Sequence, residues 1–141
     1  VQIAKTHFIL YTRDQNKSAD FYTAVLECDP TLNTPGMTEF ALSNRTVLGL
    51  MPESGIKALL GPGLPDPESA SGIPRAELYL VLSDARRAYM RALEKGAKEI
   101  SPLARRDWGH DVAYCLDLDG HVLAFAELSE SSNEPFQSGL F

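Results

Sequence analysis

Cysteine is scarce in this chain: Cys28 and Cys115 are the two present in 141 residues, and neither belongs to a CxxC pair. That count excludes a disulfide framework. Both lie in or beside apolar stretches, where a buried thiol behaves as a small hydrophobe. Basic residues are also few, thirteen against nineteen acidic ones, for a net charge of −6. A general nucleic-acid binder needs a basic footprint to displace counterions, and none is present. The short clusters Arg86-Arg87 and Arg105-Arg106 read as solvated surface. No apolar run approaches the ~20 residues of a membrane span, and Val1 to Lys5 carries no secretory apolar segment. The expectation is a cytoplasmic protein with neither nucleic acid nor membrane as partner. Apolar residues make up 44% and charged residues 23%, the balance of an ordinary globular chain. Its length suits one domain or two very small ones fused, burying roughly 70% of the unfolded surface without staples.

Two helices stand out. Ala19, Tyr22, Val25 and Leu26 recur at helical spacing after a polar start from Asp14 to Ser18, where Asn16 or Ser18 can cap the free amides. The second runs from an Asp84 cap through Ala85, Ala88, Tyr89, Ala92 and Leu93 and stops at Gly96. Strand-like stretches precede the helices at His7 to Tyr11 and Glu77 to Val81. Others follow at Thr38 to Leu42, Thr46 to Met51, Val112 to Leu116 and His121 to Leu128. Both halves therefore read strand, helix, run of strands. Setting Asp14 on Asp84 brings His7 opposite Glu77, and setting Thr46 on His121 brings Gly49 opposite Ala124. A repeat of this length is a duplicated βαβββ module. The predicted organisation is a first module over 1–52, a Pro/Gly-rich connector over 53–74, a second module over 75–128 and a polar tail over 129–141. One helical turn is expected at Ile56 to Leu60. The tail's Phe136 and Phe141 are candidates for docking on a partner.

These residues resemble the vicinal oxygen chelate superfamily, which includes glyoxalase I, bleomycin-resistance proteins and extradiol dioxygenases. The resemblance is carried by His7, Asp14, Phe21-Tyr22-x-x-Val25-Leu26, Glu77 to Asp84, Gly96-Ala97, Trp108-Gly109 and Asp117-Leu-Asp119-Gly120-His121. It implies an α+β fold in which two tandem βαβββ modules curl their mixed sheets into a half-barrel cup, commonly as a homodimer. It also implies four metal-ligand positions, which fall here on His7, Gly49, Glu77 and Ala124. Glycine and alanine offer no donor, and a catalytic metal usually takes three protein ligands. Of the other donors, Glu127 and His121 fall on the wrong face by strand parity, and Glu53 lies beyond Pro52. His110, expected in a loop, is the remaining candidate.

If position 7 faces the cavity, then so do Ile9, Tyr11, Val47, Gly49, Met51, Glu77, Tyr79, Val81, Val122, Ala124 and Ala126. Phe8, Leu10, Leu123 and Phe125 turn to the helices, and Gly49 and Ala124 leave room inside. The candidate ligand contacts are His7, Tyr11, Met51, Glu77, Tyr79, Trp108 and Tyr114, with Glu77 also the candidate catalytic base. His7 and Glu77 can equally be ordinary strand-start residues, and Trp108 a core anchor. The first expectation is binding of a small organic molecule in an apolar cup without a metal cofactor, the acidic balance suiting a cationic ligand. The alternative is a glyoxalase-like lyase or isomerase holding nickel, zinc, cobalt or manganese on His7, Glu77 and His110. A metal-free acid–base pair of His7 and Glu77 is the third.

Overall fold

A strand, a helix and three further strands occur twice in the same order in the computed structural model, which describes residues 1–130. The chain divides into two compact units, Val1–Gly72 and a second beginning at Ile73. The first contains β1 (Thr6–Thr12), α1 (Gln15–Leu26), β2 (Leu32–Thr34), β3 (Met37–Ser43), β4 (Thr46–Pro52) and α2 (Glu53–Leu60). The second contains β5 (Glu77–Val81), α3 (Ala85–Glu94), β6 (Lys98–Arg105), β7 (His110–Leu116) and β8 (Val122–Leu128). The sheets run β1-β4-β3-β2 and β5-β8-β7-β6. Each is mixed and open, and the fold class is α+β as expected. In each, the last strand returns beside the first in parallel, a pairing no tight turn can close. The repeat extends to register: Ile9 pairs with Gly49 and Tyr79 with Ala124.

The helices start and stop where side-chain chemistry requires. Asp14, not Asn16 or Ser18, caps α1: its extended backbone aims Oδ1 at the Lys17 amide, which donates at 3.1 Å. A carboxylate there also meets the positive end of the helix, while Asn16 and Ser18 lie inside it. Asp84 caps α3 in the same way through the Arg87 amide. At its other end Gly96 (φ +107°) donates to Leu93 O and Ala97 to Ala92 O, a paired closure that depends on a left-handed residue. The connector is more helical than expected, since α2 makes two turns beginning directly after Pro52. Glu53 suits its first turn, and Lys57 Nζ donates to the carbonyls of Gly61 and Leu64 beyond its end. Two strands that the βαβββ modules require were not located in the sequence. β2 is three residues long, and β6 carries register shifts on both sides of Ser101, with Pro102 in the second, so it breaks the strand alternation. The tail residues Phe136 and Phe141 lie outside the described residues.

Each unit has its own core beneath its own helix. In the first, Phe21, Tyr22 and Val25 of α1 are buried with Phe40, Leu48 and Leu50. Phe21 meets Tyr22 edge-on at 5.1 Å between ring centroids. α1 packs mainly on β3 and β4, and the edge strand β1 meets α2 instead. Phe8, expected beneath α1, is 57% exposed for that reason. In the second, Ala85, Ala88, Tyr89 and Ala92 of α3 are buried with Ala113, Cys115, Leu123 and Phe125.

Burial first and then Asp117 push the Cys115 thiol up to about 12, against 9.0 for an ordinary cysteine. In the unfolded chain the thiol ionises near that ordinary value, so above it unfolding releases a proton the native state retains. Stability therefore falls as pH rises from about 9 to about 12. An aromatic disulfide reagent at about pH 8 should label Cys115 at least ~100-fold more slowly in native protein than in urea. Equal rates in the two states would mean the thiol is open to solvent and sink this account.

Candidate functional site

Along β5, β8 and β7 every second residue shares a face, and the register builds three rows on it. Glu77, Val122 and Leu116 form one, Tyr79, Ala124 and Tyr114 the next, Val81, Ala126 and Val112 the third. Ala124, Ala126 and Val112 are fully buried, and Tyr79, Val81 and Tyr114 pack against them. Small side chains in the middle let the two phenol rings lie over the sheet. Tyr114 thus joins the face that carries Tyr79.

The Tyr79 hydroxyl ties the wall together. Trp108 Nε1 donates to it at 2.9 Å, and it lies 2.6 Å from His110 Nδ1. An indole N–H can only donate, so the phenol oxygen accepts from Trp108 while sharing a second hydrogen bond with Nδ1. His110 is not in a loop, as expected from sequence, but is the buried first residue of β7. The Gly109 turn (φ +90°) is closed by Arg106 N–H to His110 O at 2.8 Å and Ser129 N–H to Gly109 O at 3.0 Å. Trp108 is thereby pinned at its N–H while its ring stays 52% exposed. Burial pushes the Tyr79 phenol up, the Trp108 hydrogen bond opposes this, and the Glu77 charge adds to it. Tyr114 is raised by burial, then by Glu77 and Tyr79. Both phenols therefore stay protonated through the neutral range. The Arg106 guanidinium lies 5.2 Å from the Tyr114 ring centroid, and its Nη2 donates to Ser101 Oγ and Val112 O at 2.9 Å each.

In the first unit, His7, Ile9 and Tyr11 of β1 share a face with Val47, Gly49 and Met51 of β4 and with Met37 and Glu39 of β3. His7 Nδ1 lies 3.3 Å from Glu39 Oε2, a partner the sequence reading did not single out. Gly49 does not open space as expected. A Cβ there would meet Ile9 Cγ1 at 3.1 Å and Met37 Sδ at 3.2 Å, so neighbouring side chains already close over it. Tyr11 is partly exposed and pairs in register with the half-buried Met51.

The donor set does not suit a divalent metal held by three protein ligands. Two of the four family positions, Gly49 and Ala124, carry no donor; one is closed over and the other fully buried. Of the possible replacements, His110 is engaged by Tyr79, and Glu127 Oε2 caps the Ala85 amide at 3.0 Å on the helix side. Glu53 starts α2, and the His121 amide closes a turn on Asp117. Among the described residues no three His, Cys, Asp or Glu side chains are grouped as a metal site.

The second unit thus brings Tyr79, Trp108 and Tyr114 onto one wall, with Glu77 exposed at its head. His7, Tyr11 and Met51 belong to the first unit. Sequence reasoning missed Arg106, Ser101 and Glu39. Glu39 carried one signal, as an acidic residue on the Gly49 face of a strand already recognised.

Comparison with known proteins agrees with this architecture. The profile of the Glyoxalase/Bleomycin resistance protein/Dioxygenase superfamily matches residues 5–125. A glyoxalase/bleomycin resistance protein/dioxygenase from Nocardioides superposes with a TM-score of 0.73 at 23% identity, over 99% of this chain and 91% of its own. A glyoxalase-related enzyme from Fulvimarina pelagi gives 0.73 at 20% identity, over 89% and 87%. A glyoxalase/bleomycin resistance protein/dioxygenase family enzyme from Burkholderia phytofirmans PsJN gives 0.73 at 15%, over 87% and 97%. At these identities the likeness shows the fold. Among curated proteins none matches the sequence.

Proposed function

The chain belongs to the glyoxalase/bleomycin resistance protein/dioxygenase superfamily, and from that premise we propose that it binds a small, planar organic molecule on the aromatic wall of its second unit, without a catalytic metal. The observation that carries the reading is Trp108: an indole fixed through Tyr79 yet half open to solvent. Ordering such a side chain costs about 0.5–1.5 kcal/mol, and the hydrogen bond to Tyr79 meets that cost before a ligand arrives. The wall has the composition of a small-molecule site, apolar and aromatic with a few placed polar groups. Stacking on one such ring is worth about 1–3 kcal/mol, and the two tyrosines extend the apolar surface beside it. The missing donors at Gly49 and Ala124 support the metal-free part of the reading.

Trp108 is the sole tryptophan, so intrinsic emission reports on this wall alone. Titration with planar nitroaromatic probes should quench it saturably, and Trp108→Leu should weaken the same binding about tenfold by calorimetry. Adding nickel, zinc, cobalt or manganese should leave the affinity within about twofold. Purely collisional, non-saturating quenching would remove the binding wall. Metal-dependent affinity that disappears in His7→Ala would favour the lyase reading instead.

A further inference from the structure

We infer that Arg106 makes this wall selective for aromatic ligands that carry an anionic group, a carboxylate or similar oxyanion; the inference rests on the binding reading above. A guanidinium has five N–H donors and stays charged at every accessible pH. Two of the Arg106 donors, both on Nη2, are spent on Ser101 Oγ and Val112 O. Nε is buried without a hydrogen-bond partner, and Nη1 has no acceptor among the described residues. Nor does Arg106 take part in an ion pair among them, although acidic residues outnumber basic ones. A partly buried charge held this firmly yet without an ion-pair partner among the described residues is costly unless something supplies one.

The placement makes a ligand the natural source. Arg106 stacks on Tyr114, and its charge reaches Tyr79 as well, so it lies beside the wall that presents Trp108. Ser101 and the Val112 carbonyl hold one edge of the fork, so its orientation costs little at binding. Glu77 acts on the same two phenols from the head of β5 and opposes an anion there. The oxyanion is therefore directed to the Arg106 end, with the ring on Trp108. Charge-assisted hydrogen bonds are roughly twice as strong as neutral ones. The net charge of −6 would draw cations, but it is spread over the chain and screened beyond ~8 Å at physiological salt. A direct contact at Arg106 overrides it.

Three probes of one shape separate the terms: para-nitrobenzoate, para-nitrobenzyl alcohol and para-nitrobenzylammonium, read by Trp108 quenching at about 0.15 M salt. The benzoate is expected to bind at least ~10-fold tighter than the alcohol, and the ammonium no tighter than the alcohol. In Arg106→Gln that ratio should collapse to about one, and Arg106→Lys should keep part of it. Circular dichroism checks that both variants are folded. Should the glutamine variant not fold, the wild-type ratio and its partial reduction in the lysine variant decide the matter. Equal binding of all three probes, or preference for the ammonium, overturns the anion selectivity and leaves the binding wall standing. Saturable quenching by none of them overturns both.

Discussion

Replacing Ala124 with glutamate, which places a carboxylate where the resemblance implies a metal ligand, is expected to cost the protein about 5–7 kcal/mol of stability at neutral pH, and added nickel should not restore it. Ala124 has no exposed surface and lies in register between Tyr79 and Tyr114. A carboxylate forced there either stays charged without a partner or takes up a proton. Burial raises such a group by some 3–5 pH units, so neutralising it at neutral pH costs roughly 4 kcal/mol. Overpacking adds about 1–3 kcal/mol, against a total stability of about 5–15 kcal/mol for a domain. The sign with pH follows. The folded variant binds a proton that the unfolded chain has already lost at neutral pH, so the defect shrinks as pH falls toward about 4. Urea midpoints of wild type, Ala124→Glu and Ala124→Val across that range check this. A metal that binds only the native state raises the midpoint by mass action. Nickel-dependent recovery of the glutamate variant would show a competent metal position and withdraw the metal-free reading.

The architecture was legible because its signals are local and occur twice. Asp84 and Gly96 bracket α3 as the capping rules require, and the spacing of Ala85, Ala88, Tyr89 and Ala92 gives its buried face. The same pattern, weaker, marks α1. What escaped depends on departures from regular pairing. Pro102 and the shifts around Ser101 hide β6, whose loss of alternation resembles a loop. Phe8 has the parity of a core residue but belongs to an edge strand beside the main footprint of α1 on β3 and β4, and only the strand order reveals that.

The candidate site was legible to a lesser depth. Parity placed Tyr79 on an inner face, and the loop placed Trp108 near an opening, but their joint hydrogen bond with His110 spans separations of 29 and 31 residues. Such a contact is fixed by register, not by spacing. Arg106 is harder still. It was read as half of a surface Arg-Arg pair, yet its side chain turns back onto Tyr114 and Ser101. Glu39 illustrates the same limit in the first unit: its face could be read, but not that His7 would pair with it.

Tyr79→Phe should affect stability and binding together, because one oxygen serves both His110 and Trp108. Without it the buried Nδ1 of His110 loses a 2.6 Å partner, a loss worth about 1–3 kcal/mol. The indole loses its anchor while most of the apolar wall, including the Phe ring, is kept. Trp108 must then be ordered by the ligand itself, at about 0.5–1.5 kcal/mol, or about twofold to twelvefold in affinity for para-nitrobenzyl alcohol. Acrylamide should reach the freed ring more readily, and the urea midpoint should fall. His110→Gln supplies the contrast: it removes the imidazole but leaves the Trp108–Tyr79 bond, so the midpoint falls while acrylamide access changes little. Burial keeps the phenol protonated well above neutrality, so this difference between the variants should persist across the neutral range. If Tyr79→Phe leaves both acrylamide access and affinity unchanged, Trp108 is held by something other than this hydroxyl, and the wall's preorganisation is not what binds the ligand.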